Sequence, residues 1–317
     1  MDRRTFLEIS SGALGTKALA DTPMPMSTLG RSGLRVSRLG VGGHHMNVHG
    51  LENGVRVIQR AVDLGVTFFD SAHKYSDGLS DTIYGRALTG GRRQKVVLMC
   101  KAHLRSRDDA MRQLEESLRR MRTDYLDLWQ CHEVSTQEEV DKILAPNGSL
   151  EAFVKAKEQG KTRHIGFTGH HDPAVHQRLL DAFDGWETVQ HPVNLLDPHY
   201  LSFIDNVLPR VRAKGLGRIG MKSNAIGAIT KAGIASIDEC LRFAWSQDIH
   251  TLISGVETVE QLEHNVLACK TFQKMNAREM AELLARTEKG PHGSTIEKYK
   301  KSEREPGRAL HHDGNLG

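Results

Sequence analysis

The sequence has few aromatic residues, few cysteines and no long apolar run. Phe, Trp and Tyr make up 5% of the chain, and its four cysteines have neither close pairing nor the spacing of metal ligands. We therefore expect no disulfide framework and no cysteine-ligated metal. Since no apolar stretch approaches the ~18 residues of a transmembrane helix, we also expect no membrane span.

An excess of charge of one sign is also missing. The formal net charge is +4, and Lys and Arg are dispersed rather than gathered into one band. Domains that bind nucleic acid usually present clustered basic residues, so we expect no nucleic-acid partner. With 317 residues, the chain is too long for one small domain and can bury a large core.

The first twenty or so residues form a separate segment. The pair Arg3-Arg4 precedes a weakly apolar stretch, and Ala18-Leu19-Ala20 has the small-x-small form of a signal cleavage site. The segment is similar to a twin-arginine export signal, which would carry the folded protein to the cell envelope. Glu8 and Lys17 interrupt the apolar stretch, so the alternative is a retained, disordered arm on a cytoplasmic protein. We assign residues 1–22 to this signal or arm.

Apolar runs rich in β-branched residues recur along the rest of the chain. A first strand, glycine-rich where it ends, is predicted over residues 37–43. Seven further runs end roughly 30 residues apart, the length of one strand-helix unit, at Asp70, Lys101, His132, Thr168, Gln190, Met221 and Ser254. The pattern predicts eight strands in all.

Helical patterns lie between these runs, and capping residues mark their starts. Ser106 precedes a helix near residues 111–121, and Thr258 with Gln261 is typical of a capping box. Strict alternation of strand and helix predicts a parallel sheet that is buried on both faces. The count of eight strands favours closure into a (β/α)8 TIM barrel over an open, doubly wound sheet.

Two segments flank the predicted barrel. Residues 26–36 have the pattern of two short strands around a glycine-containing turn, and we expect this β-hairpin to cover the barrel floor. From residue 290 onward the chain is polar and rich in Gly, Lys and His. We assign residues 23–289 to the barrel and residues 290–317 to a C-terminal tail that lies over the barrel mouth or is disordered.

Four polar side chains at or just past successive strand ends have a coherent chemistry. Asp70, Lys101 and His132 end predicted strands, and Tyr75 follows Asp70 by five residues. An isolated Asp and Tyr would be read as a turn former and a packing residue. Together the four predict carbonyl reduction: Tyr75 gives a proton to the developing alkoxide, Lys101 stabilises the phenolate, Asp70 orients Lys101, and His132 binds the carbonyl oxygen.

These four residues, in this order and strand context, make the chain similar to aldo-keto reductases. Residues 29–40, 125–128 and 161–168 also resemble the opening hairpin and two strands of that family. The resemblance implies a (β/α)8 barrel that transfers a hydride between a nicotinamide and a small aldehyde, ketone or alcohol. It implies that Asp70, Tyr75, Lys101 and His132 are catalytic, with Tyr75 as general acid/base.

The resemblance also implies NADP or NAD, bound in extended form without a Rossmann domain. Around the nicotinamide it implies Thr168, Gly169 and Gln190, and, where many relatives have an aromatic ring, Met221 followed by Lys222. At the phosphate and adenosine end it implies Ser254, Gly255, Glu257, Gln261 and Asn265. Because the carboxylate of Glu257 would repel a 2′-phosphate and accept hydrogen bonds from ribose, we expect use of NADH as well as or instead of NADPH.

Histidines near strand ends complete the set of candidate site residues. His44, His45, His73 and His170 would line the substrate pocket and bind a polar, sugar-like substrate. No carboxylate or cysteine completes a known metal-ligand spacing with them, so we predict no metal. The alternative function is a non-catalytic sensor or regulatory subunit that binds a nicotinamide nucleotide on the same barrel. The sequence favours no particular oligomeric state.

Overall fold

A computed structural model describes residues 22–302 of the chain. It contains a two-stranded antiparallel hairpin, β1 (Met26–Thr28) and β2 (Arg35–Ser37), followed by eight parallel strands. These are β3 (Leu39–Gly42), β4 (Phe68–Asp70), β5 (Val97–Ala102), β6 (Leu126–Cys131), β7 (Thr162–Thr168), β8 (Thr188–Pro192), β9 (Gly217–Met221) and β10 (Thr251–Gly255). The predicted export signal lies outside the described residues, apart from Thr22.

Helices connect the parallel strands and cover the barrel. They are α1 (Leu51–Asp63), α2 (Leu79–Ala87), α3 (Arg107–Met121), α4 (Gln137–Leu144), α5 (Ser149–Glu158), α6 (Pro173–Ala182), α7 (Phe203–Asn206), α8 (Leu208–Ala213), α9 (Ala228–Lys231), α10 (Ile237–Ser246), α11 (Val259–Lys270) and α12 (Ala277–Glu288). Ser106 and Thr258 accept backbone hydrogen bonds at the starts of α3 and α11. In the described residues, no helix is long and apolar enough to cross a bilayer.

The eight parallel strands close into a barrel. Each pairs with the next along the chain, and β10 closes the ring by pairing with both β9 and β3. The glycines of β3 make room for this closure, since a Cβ on Gly40 would lie 2.6 Å from the side chain of Ile253 in β10. The predicted (β/α)8 barrel is confirmed.

The amino-terminal hairpin fills the floor of the barrel. Leu29 and Val36 are fully buried, and they pack with the barrel-interior side chains Phe68, Leu128 and Ile219. Burial of such a side chain stabilises the fold by about 1.5–3 kcal/mol. The predicted hairpin is confirmed, and its apolar side chains close the end of the barrel opposite the carboxyl ends of the strands.

The last described residues pack against loops at the mouth of the barrel. The backbone N–H of Lys301 donates to the carbonyl oxygen of His171, just past β7, at 3.0 Å. Lys300 is fully buried, and its Nζ lies 2.7 Å from Asp197 and 3.0 Å from Glu297. Through residue 302, the tail is therefore held by specific polar contacts.

Candidate active site

The alternation of side chains along the strands aims the site residues at the barrel mouth. Phe68, Met99 and Leu128 point into the barrel and pack together near its floor. Side chains two positions apart share a face of a strand, so Asp70 and Lys101 point the same way, one layer nearer the mouth. Asp70 is paired in register with Met99, which places its carboxylate beside the side chain of Lys101.

Lys101 lies at the centre of the cluster. Its Nζ pairs with the Asp70 carboxylate and donates to the carbonyl oxygen of Ser71 at 2.9 Å. The same nitrogen lies 3.3 Å from the hydroxyl of Tyr75. The ring of His132 meets the ring of Tyr75 edge-on, with 5.5 Å between centroids. The structure thus brings together the four predicted catalytic residues.

Burial sets the protonation of the two ring side chains. Burial, and then the charge of Asp70, raises the pKa of Tyr75 well above its ordinary value. Burial, and then the charge of Lys101, lowers the pKa of His132 well below its ordinary value. The sequence suggested that Lys101 eases ionisation of Tyr75, but burial has the larger effect here. A neutral phenol and a neutral imidazole can each donate a hydrogen bond to a substrate oxygen.

Asp81, a buried residue that the sequence did not single out, helps to position Lys101 through Ser71. Asp81 accepts hydrogen bonds from Ser71 at 2.6 Å and from Ser117 at 2.7 Å, and burial raises its pKa. Because the carbonyl of Ser71 is an acceptor for Lys101, these contacts help to fix the lysine. The sequence signal was weak, since Asp81 lies in an ordinary helical stretch.

Gln190 connects the cluster of predicted catalytic residues to the predicted nicotinamide site. Its Nε2 donates to the second carboxylate oxygen of Asp70 at 2.9 Å. Its Oε1 is buried and has no hydrogen-bond partner among the described residues. A buried acceptor without a partner is costly, and the amide N–H of a nicotinamide carboxamide would satisfy it. The residues present therefore fit a nicotinamide cofactor.

The other residues of the predicted nicotinamide site differ in burial, packing and backbone conformation. Thr168 is buried at the end of β7. Gly169 is required by packing, since a Cβ there would lie 2.4 Å from the carbonyl oxygen of Val134. Met221, the last residue of β9, is partly buried and packs against the apolar cluster of the barrel interior. Lys222 follows it in a left-handed backbone conformation, with φ of 56°.

The predicted phosphate end lies where β10 leads into α11. Asn265 donates to the hydroxyl of Ser254 at 3.1 Å. Gln261 accepts from the backbone N–H of Glu257 at 2.8 Å, so it caps the helix one residue earlier than a capping box would. The carboxylate of Glu257 is half-exposed and lies 3.7 Å from Nε2 of His49. This carboxylate is therefore open to a ligand at the helix amino terminus.

Two of the predicted pocket histidines lie beside the cluster of predicted catalytic residues. The ring of His44 meets Tyr75 edge-on, with 5.0 Å between centroids. Nε2 of His170 lies 3.4 Å from the carboxylate of Glu133, and its ring lies edge-on at 5.4 Å from Tyr299 of the tail. The sequence singled out neither Glu133, which directly follows His132, nor Tyr299, which stands in a tail without a strand or helix pattern.

The other two histidines face elsewhere. His45 lies against Gly255, where a Cβ would come within 2.8 Å of its Nδ1, and so belongs to the phosphate end. Nε2 of His73 lies 2.7 Å from Glu116, and its Nδ1 lies 3.2 Å from Gln113, both on α3. Loop side chains lack the fixed alternation of strands, which is why the sequence grouped all four histidines. Within residues 22–302, no three His, Cys, Asp or Glu side chains are grouped so that they could hold a metal ion.

Comparison with known proteins supplies the class of this chain. The model of the Aldo/keto reductase family matches residues 38–239, more than half of the chain. "Uncharacterized oxidoreductase YrpG" of Bacillus subtilis (strain 168) is 33% identical over 231 residues, 65% of this chain and 68% of that protein. L-galactose dehydrogenase of Arabidopsis thaliana is 26% identical over 301 residues, 80% of this chain and 91% of that protein.

Solved structures agree on the fold. An aldo-keto reductase from Klebsiella pneumoniae, solved in complex with NADPH, has a TM-score of 0.68 to this chain at 22% identity. The match covers 86% of this chain and 98% of the other. The chain belongs to the aldo/keto reductase family, and it is an NAD(P)H-dependent enzyme that reduces carbonyl groups.

Proposed function

We propose that Tyr75 is the general acid/base for hydride transfer between a nicotinamide and an aldehyde, ketone or alcohol. One observation carries the proposal: the Tyr75 hydroxyl lies 3.3 Å from Nζ of Lys101, which is itself paired with Asp70. The neutral phenol gives its proton to the substrate oxygen, and the ammonium group beside it stabilises the phenolate that forms. His132 orients the same oxygen by a hydrogen bond.

The cofactor supplies the hydride, and two groups of side chains would hold it. The unpartnered Oε1 of Gln190 and the hydroxyl of Thr168 would receive the carboxamide. Ser254 and Asn265 would hold the adenosine end, where the amino terminus of α11 favours an anion. The structure of the Klebsiella pneumoniae relative with NADPH supports NADPH, whereas the carboxylate of Glu257 supports NADH.

The substitution Tyr75→Phe tests the role of the phenol. It removes the proton and leaves the ring, so kcat/KM for aldehydes should fall about 10²- to 10⁴-fold, the usual effect of losing a general acid. The rate is followed as loss of NADPH absorbance with a panel of aldehydes. The affinity for NADPH should stay within about threefold of wild type, because Tyr75 is not among the groups assigned to the cofactor.

One control variant and two possible outcomes make this experiment decisive. Tyr125→Phe removes a hydroxyl elsewhere, since the Tyr125 ring packs under Arg93 and Arg163, and it should retain wild-type rates. Retained activity in Tyr75→Phe would exclude Tyr75 as the acid. A wild-type protein that binds NADPH tightly and reduces no aldehyde would instead support the sensor or regulatory alternative.

We further propose a polar, polyhydroxylated substrate. His44 and His170 stand at the mouth beside Tyr75 and Glu133, and their neutral imidazoles can donate and accept hydrogen bonds. The similarity to a dehydrogenase named for L-galactose supports the same class. Initial rates with sugars and with linear alkyl aldehydes of equal length test this point; higher kcat/KM for the alkyl aldehydes would contradict it.

A further inference from the structure

Within residues 22–302, the cation Lys222 at the barrel mouth has no carboxylate partner. No carboxylate oxygen of the described residues lies within 4.0 Å of its Nζ. The nitrogen sits over the ring of Tyr299, 4.9 Å from the centroid. A cation above an aromatic face gains about 0.5–2 kcal/mol, but the ring carries no charge and leaves the charge of the ammonium group unbalanced.

The contact with Tyr299 shows which way Lys222 points. Tyr299 accepts a hydrogen bond from Asn194 at 3.0 Å, and its carbonyl oxygen lies 3.2 Å from Nδ1 of His171. These two residues follow β8 and β7, whereas the amino terminus of α11 follows β10 on the other side of β9. The side chain of Lys222 therefore points away from the predicted phosphate end and toward the side of the mouth where the tail lies.

The electrostatic influence of Lys222 also reaches the catalytic cluster. Burial lowers the pKa of Lys222 to about 8, and the charges of Glu133, Lys101, Lys74 and Asp70 act on it in addition. Its own charge contributes to lowering the pKa of both His44 and His170. Charges act on one another most strongly at short range in a buried environment, so these effects agree with a position of Lys222 near the cluster.

The other charges at the mouth are matched. Lys101 is paired with Asp70, and Lys74 is paired with Glu133. Burial lowers the pKa values of the nearby histidines, which are neutral near pH 7. Among the described residues at the mouth, this leaves the one positive charge of Lys222 to be balanced by a ligand.

We propose that Lys222 is a substrate-binding residue that recognises an anionic group, a carboxylate or a phosphate, on the carbonyl substrate. The proposal rests on the proposed function and narrows its substrate class to polyhydroxylated carbonyl compounds that carry one acid group, such as sugar acids or sugar phosphates. The ammonium group lies on the tail side of the mouth, and the carbonyl end of the substrate reaches Tyr75.

A matched pair of aldehydes tests the proposal. Succinic semialdehyde carries a carboxylate where butanal carries a methyl group. In wild type, kcat/KM should be higher for succinic semialdehyde. Lys222→Met should lower the ratio of kcat/KM for succinic semialdehyde to kcat/KM for butanal by about 10- to 100-fold, the effect of losing a charge-assisted hydrogen bond. Lys222→Arg should retain the preference, and Lys231→Met, an equal charge change on the exposed part of α9, should change neither substrate.

Two outcomes would overturn the assignment to the substrate. If Lys222→Met lowers kcat/KM equally for both aldehydes and raises the KM for NADPH, the lysine serves the cofactor. If it changes nothing, the lysine has no part in binding.

A calorimetric titration of the NADPH complex with succinate separates this proposal from the proposed function. Binding that weakens about 10- to 100-fold in Lys222→Met supports the anion site even in a protein without turnover. Equal binding to wild type and Lys222→Met would contradict it, whatever the turnover. Absence of turnover with every aldehyde would contradict the proposed function alone.

Discussion

At the scale of single residues, the phenol of Tyr75 has neighbours that hold its surroundings in place. Lys101 pairs with one oxygen of Asp70, and Gln190 donates to the other. Asp81 fixes Ser71, whose carbonyl oxygen is a further acceptor for Lys101. The environment of Tyr75 is therefore set before a substrate binds, and preorganised charge of this kind lowers the cost of reaching the transition state.

A buried histidine behind the site predicts a loss of stability in acid. His176 is fully buried between Phe167 and Phe203, and burial lowers its pKa to about 3. In the unfolded chain the imidazole has a pKa near 6.5, so between pH 6.5 and pH 3 the unfolded chain binds a proton that the folded chain does not. The unfolding free energy is therefore unaffected by this histidine above pH 6.5 and decreases as the pH falls toward 3. At pH 4 the loss should be about 3 kcal/mol of unfolding free energy.

The substitution His176→Phe checks this prediction. It keeps a ring among aromatic neighbours and removes the titrating group, so the difference in unfolding free energy between pH 7 and pH 4 should shrink by about 3 kcal/mol. Urea denaturation at both values measures it. His49→Phe replaces an exposed histidine and should leave the difference unchanged. Equal acid sensitivity of His176→Phe and wild type would show that another group dominates.

At the scale of elements, a buried ionic network fixes the tail to the barrel. Nζ of Lys300 contacts Asp197, Glu297 and the carbonyl oxygen of Tyr200, all within 3.0 Å. The network holds Tyr299 beside His170, so the tail forms one wall of the mouth. Removing one partner of a fully buried ion pair is strongly destabilising, because the other charge stays buried without compensation.

The substitution Lys300→Met should release the tail. It leaves two buried carboxylates without their cation, which should cost about 3–5 kcal/mol of unfolding free energy. Hydrogen exchange of residues 293–302 should accelerate strongly. The neighbouring Lys301→Met, which removes a partly exposed pair with Asp172 at 3.6 Å, should cost less than about 1 kcal/mol. Comparable losses in the two variants would contradict a special role for Lys300.

The sequence predicts the strands of the barrel better than it predicts the position of the tail. The ends of the strands at Asp70, Thr168 and Met221 coincide with the predicted ends, because apolar β-branched runs stop where the chain leaves the barrel. The tail has no such period. Lys300 contacts Asp197, 103 residues earlier in the chain, and a polar partner so distant leaves no mark in the local sequence.

At the scale of the whole molecule, the cofactor would span the mouth from Gln190 to the amino terminus of α11. The alternation of strands and helices predicted this barrel, and the positions of the four predicted catalytic residues at or just past strand ends predicted their convergence. The sequence could not predict which two of the four pocket histidines lie beside Tyr75 and which two face elsewhere. The direction of a loop side chain depends on tertiary contacts such as that of His73 with Glu116.

Glu257 tests the placement of the nucleotide across the mouth. Its carboxylate would repel a 2′-phosphate, so Glu257→Ser should raise the ratio of kcat/KM for NADPH to that for NADH by about tenfold. Glu282→Ser makes the same charge change on the exposed face of α12 and should leave the ratio unchanged. An unchanged ratio in Glu257→Ser would place the 2′ position of the ribose elsewhere.

The most direct measurement is the transfer of deuterium from NADPH labelled on the transferable C4 hydrogen to an aldehyde. The account predicts that wild-type protein yields an alcohol with one deuterium on the former carbonyl carbon, detected by mass spectrometry. Tyr75→Phe should yield about 10²- to 10⁴-fold less of it in the same time. Unlabelled product from wild type, or equal labelled product from Tyr75→Phe, would contradict hydride transfer assisted by Tyr75.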